Sequence, residues 1–168
     1  LGEIRKLAES DGEEWQISFG ERSATFSTRS LTLMVRLIDG EFPDYRRVLP
    51  EVFRRTVRIA RDSFAAALKR VVLVASDRNH SVWFAFEPDQ LVLSADNIDL
   101  GQARETVPAE LEGEPLNTGF NARYFLDILG ATYSEELELQ LVDALDPCIV
   151  RLPGRDDCLF VVMPMRLD

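Results

Sequence analysis

Apolar positions change period several times along the chain. Residues 1–9 place Leu1, Ile4, Leu7 and Ala8 on one helical face. Three alternating runs follow, EWQISFG, SATFSTRS and LTLMVRLID, each rich in β-branched or aromatic residues and bounded by Gly, Ser or Asp. That is the composition of short strands. After a proline-bearing stretch the order recurs. RRTVRIA alternates like a strand, and RDSFAAALKRVVLVAS sets Phe64, Leu68, Val71, Val72 and Ala75 on one helical stripe, with Asp62 or Ser63 as its N-cap. SVWFAFE, QLVLSAD and GQARETVP then read as three strands. A third round runs PLNTGF, the helix NARYFLDILG with Asn121 as N-cap and Gly130 as its stop, and the strands EELELQLV, CIVRL and CLFVVMPM.

The pattern predicts an α+β protein made of one repeated unit, a short helix followed by three strands, recurring roughly every 55 to 65 residues. Two such units with their leading strands fill residues 51–168. A single unit occupies 1–41, and FPDYRRVLP, residues 42–50, connects the two regions. One unit alone makes half of a two-unit domain. The opening LGEIRKLAES has no methionine and begins as if in mid-helix, so the chain is expected to be a piece of a longer one.

Composition adds one refinement. The net charge of -10 argues against nucleic acid at first. The charges are unevenly spread, however. Residues 46–70 hold Arg46, Arg47, Arg54, Arg55, Arg58, Arg61, Lys69 and Arg70 against Glu51 and Asp62 only, whereas residues 71–168 are strongly acidic. A solvated face would account for this, and so would an acidic body with a local basic surface.

Candidate chemistry is sparse. The one histidine, His80, sits in the turn-like SDRNHS and lacks the partners a general base needs. Asp11, Glu13 and Glu14, or Glu135 and Glu136, lie beside turns and read as solvated carboxylates. Cys148 and Cys158 have neither metal-ligand spacing nor the number for a disulfide framework, and read as reduced thiols of a cytoplasmic protein. No glycine-rich loop follows a strand, so no cofactor is implied. No stretch approaches the roughly 20 apolar residues that cross a bilayer. The sequence offers no enzyme and no membrane partner.

Two stretches, LIDGEFPDYRRVLP at 37–50 and FVVMPMRL at 160–167, together with GFNARYFLDIL at 119–129, resemble the bacterial β sliding clamp family, the ring-shaped processivity subunits of replicative DNA polymerase. The resemblance covers the whole chain, as the end of a clamp's middle domain plus its third domain. It implies helices on one face of curved antiparallel sheets and a ring around double-stranded DNA held without base readout. It also implies a homodimer when the protein is full length. Polymerase, clamp loader and repair proteins would dock by short peptides, typically with a glutamine and a leucine–phenylalanine ending. By that match Pro43, Arg47 and Val48 line one wall of a peptide pocket. Val161, Met163 and Met165 line the other, and Asn121, Tyr124 and Pro147 form its rim. Lys6, Lys69, Arg70 and Arg123 would face DNA, and Leu73 and Val74 would meet the partner subunit.

The residues themselves agree with a pocket of this kind. Val161, Met163 and Met165 alternate and would share one face of a strand. Methionines repack easily against varied partners, and Pro164 suits a terminal or edge strand. The alternative is a repeat-built interaction scaffold that never touches DNA; further helix-plus-strands units upstream of Leu1 would speak for the clamp.

Overall fold

The computed structural model describes residues 2–11, 14–42, 44–75 and 80–166. The chain forms two compact units, Leu1–Pro43 and Asp44–Asp168. The first holds α1 (Gly2–Asp11) and an antiparallel meander of β1 (Gln16–Phe19), β2 (Ser23–Ser27) and β3 (Thr32–Arg36). Its register sets Ile17 and Leu33 opposite Phe26, and Phe19 and Val35 opposite Ala24, so these six share a face. Only Ala24 and Phe26, on the central strand, are buried.

The second unit carries both remaining repeats. It runs from a 3-10 turn (Tyr45–Val48) through β4 (Arg55–Ala60), α2 (Arg61–Val71), β5 (Ser81–Glu87), β6 (Gln90–Asn97) and β7 (Gly101–Glu112). Then follow β8 (Leu116–Asn121), α3 (Ala122–Ala131), β9 (Glu136–Leu141), β10 (Cys148–Leu152) and β11 (Arg155–Val162). The strands form one antiparallel array, β11-β10-β9-β4-β7-β6-β5-β8. The leading strands interlock the repeats: β4 pairs with β9 of the other repeat, and β8 pairs with β5. Strand β7 is the joint, since residues 101–108 pair with β6 and residues 109–112 with β4.

Both helices pack their apolar stripes into this array. Phe64 of α2 and Phe125 of α3 meet Phe84 and Phe120 in a ring cluster, with Phe84–Phe120 edge-to-face at 5.1 Å between centroids and Phe64–Phe125 edge-to-face at 5.8 Å. All four rings are fully buried. Such pairs add to the area term of burial, which alone is worth about 1.5–3 kcal/mol per large apolar side chain.

Three local expectations are corrected. Helix α2 begins at Arg61 with extended Ala60 in the cap position and no side-chain cap, because β4 runs straight into the helix without a loop; Asp62 sits in its first turn. Gly130 lies within α3, which continues to Ala131 and ends at extended Thr132. The last strand stops at Val162, short of both methionines. Asn121 does cap α3, its Oδ1 accepting from the Arg123 amide at 2.9 Å. Among the described residues no helix is long and apolar enough to cross a membrane.

Candidate functional site

The sequence after β11 crosses to the opposite end of the array. Pro164 has no N–H to donate, so a ladder cannot continue through it. The Met165 amide instead donates to the Gly119 carbonyl at 2.7 Å, making a single antiparallel bridge to β8. Gly119 pairs with Trp83 of β5 as well, so the bridge joins an edge strand that β5 already anchors. The three residues expected on one strand face are therefore divided. Val161 stays on β11 opposite Ile149, Met163 lies in the connecting segment with 53% of its surface exposed, and Met165 is half-buried at β8.

Strand β8 also leads into two of the residues expected at the rim. It ends at Asn121, whose cap starts α3, and Tyr124 stands in the first turn, exposed. Helix α3 packs against β11. The loop between β9 and β10, residues 142–147, is tied to β8 by Thr118, whose Oγ1 donates to the Ala144 carbonyl at 2.7 Å. Pro147 is half-buried in that loop and Leu145 is exposed. Arg55, placed by the sequence only in the basic run, donates from Nε to the Glu114 carbonyl at 2.7 Å and from its terminal nitrogen to the Val142 carbonyl where this loop begins.

Arg47 and Val48 sit on the 3-10 turn, which buries none of its residues. The Arg47 amide donates to the Asp44 carbonyl at 3.1 Å, and its Nε lies 3.2 Å from the Asp44 carboxylate. Val48 is exposed. Pro43 lies outside the described residues.

The basic positions differ in their surroundings. Lys69 and Arg123 are exposed, and Lys69 borders a groove between α2 and α3 with Ala65, Ala66, Leu126 and Leu129. Arg70 is committed elsewhere: its guanidinium makes a two-pronged pair with Glu105 of β7, at 2.7 and 2.8 Å. That hydrogen bond holds the Glu105 carboxyl below the usual carboxylate range. Lys6 is exposed on α1 of the first unit. Past the end of α2, Leu73 is 75% exposed and Val74 half-buried.

The profile of the DNA polymerase III beta subunit, C-terminal domain, matches residues 46–166, nearly all of the second unit. This chain belongs to the bacterial β sliding clamp family. The β sliding clamp of Caulobacter vibrioides is 35% identical over 167 residues, covering 99% of this chain and 45% of that protein. The crystal structure of the Caulobacter crescentus β sliding clamp with bound polyethylene glycol superposes with a TM-score of 0.88 at 35% identity, and covers 99% of this chain and 45% of that one. The sliding clamp of Bartonella birtlesii bound to griselimycin gives 0.87 at 36% identity, with coverage of 99% and 45%. The chain thus spans under half the length of these relatives. Within that span it has the clamp fold, short helices packed on curved antiparallel sheets.

Proposed function

We propose that this chain is the end of the middle domain and the whole third domain of a sliding clamp, a non-catalytic processivity factor of DNA replication. In the complete ring, a homodimer, it encircles duplex DNA and tethers polymerase, clamp loader and repair proteins through short peptide segments. The peptide site comprises Met163, Met165, Val161, Asn121, Tyr124 and Pro147, with Pro43, Arg47 and Val48 as its other wall. Lys6, Lys69 and Arg123 supply a modest basic lining toward phosphates, joined by Arg70, which is paired with Glu105. Leu73 and Val74 belong to the subunit contact.

The observation that carries this reading is the fate of the C-terminal segment. A single backbone bridge at Gly119 fixes Met165, while Met163 next to it keeps about half its surface in water. An unbranched thioether held on a fixed backbone can repack against different apolar anchors, which suits a site serving several partners. The test is calorimetric titration with a pentapeptide of the glutamine and leucine–phenylalanine type. Saturable binding is expected, on the order of micromolar, since a short peptide must order itself on docking. A scrambled peptide binding equally well would overturn the reading.

A further inference from the structure

The β9–β10 loop is fastened at two alternate carbonyls by side chains from two different strands. Thr118 is the polar member of an otherwise apolar buried stripe on β8, between Leu116 and Phe120, and is only 3% exposed. A buried hydroxyl is destabilising unless it is hydrogen-bonded. Its bond to the Ala144 carbonyl at 2.7 Å supplies that partner and pins the middle of the loop. Arg55, at the start of β4, reaches the Val142 carbonyl where the loop begins and the Glu114 carbonyl of the β7–β8 turn. Inside the loop the Ala144 amide donates to Asp143 Oδ1 at 2.9 Å, and the Asp146 amide to the Asp143 carbonyl at 3.2 Å. Leu145 and Pro147 follow directly on these fastened residues.

We propose that Thr118 and Arg55 are positioning residues that preorganise the β9–β10 loop, with Leu145 and Pro147, as a wall of the peptide site. This rests on the peptide-site reading above. Neither side chain need touch the peptide. Their work is to remove, before binding, the ordering cost that a free loop would impose on each partner. A valine at 118 would fill the same place in the core, so core packing alone gives no reason for the hydroxyl. Among the described residues the hydroxyl bonds only to the loop.

Thr118→Val, Thr118→Ser and Arg55→Met, made in the full 168-residue chain, test this by two readouts. Loop amide exchange at Ala144 and Asp146 should rise about three- to tenfold in Thr118→Val, the factor for one lost hydrogen bond. Peptide affinity should fall by a similar or smaller factor. Thr118→Ser, which keeps the donor, should restore both, and Arg55→Met should loosen Val142 and Ala144. Ile59→Val serves as a stability control, since it thins the core on β4, where Ile59 pairs with Ala109 and Leu137, without touching either carbonyl or a residue of the peptide site. Wild-type exchange in Thr118→Val would overturn the inference. So would faster exchange with unchanged peptide affinity, or an equal affinity loss in Ile59→Val. A wild-type chain that binds no peptide would instead sink the site reading itself, and this inference with it.

Discussion

Met163→Ala separates binding from stability, and its size follows from exposure. Full burial of a methionine side chain is worth about 1.5–3 kcal/mol. Met163 keeps 53% of its surface in the free chain, so about half of that remains to be gained when a peptide covers it. Truncation should therefore cost roughly 0.8–1.5 kcal/mol of binding, a four- to twelvefold rise in Kd. Folding should lose no more than a similar amount, since the other half of the side chain is already covered in the free chain. Calorimetric titration of wild type, Met163→Ala and the distant β7 variant Arg104→Ala, each with its thermal midpoint, provides the assay. Equal Kd values for all three would refute the assignment of Met163 as an anchor. Reduced affinity accompanied by a large fall in Tm would refute the exposure argument behind the number.

Other consequences concern the remaining surfaces. In a complete ring carrying this domain, Lys69→Ala should lower the salt slope of DNA contact by about one unit, the value for one phosphate contact. Arg70→Ala should lower it less, because Glu105 already holds that guanidinium; an equal or larger effect would show the pair opening to phosphate. Gly113→Ala should lose about 2 kcal/mol and some 4–8 °C in Tm. Its φ of +114° suits glycine, and a Cβ there would lie 2.5 Å from the Arg54 carbonyl oxygen; a wild-type melting curve would refute this. Val74→Glu should leave the complete protein folded but monomeric by sedimentation, since an uncompensated charge in an apolar contact costs several kcal/mol. A stable dimer would remove Val74 from the interface.

Much of the architecture was legible because periodicity is a local property. Each predicted run has its counterpart in the structure, and α1, α2 and α3 begin at Gly2, Arg61 and Ala122, in step with the repeat. The Asn121 cap was legible for the same reason, as one side chain serving an amide two residues on. What escaped depends on contacts distant in sequence. Nothing in RRTVRIA says that Arg55 will reach carbonyls 59 and 87 residues away. The partner of Arg70 lies 35 residues on, so its helical position suggested a free cation where the fold supplies Glu105. The C-terminal segment failed differently. VVMPM alternates well enough to be a strand, but Pro164 denies the ladder a donor, and the chain leaves β11 to find Gly119.

The methionines allow the account to be tested with few probes. The chain has three, Met34, Met163 and Met165. Methyl-labelled methionine gives three NMR signals, to be followed while the glutamine and leucine–phenylalanine pentapeptide is added. The Met163 and Met165 methyls should shift together and saturate at the calorimetric Kd, while Met34, on β3 of the first unit, should stay where it was. Saturable peptide binding that moves Met34 alone, or none of the three, would contradict it.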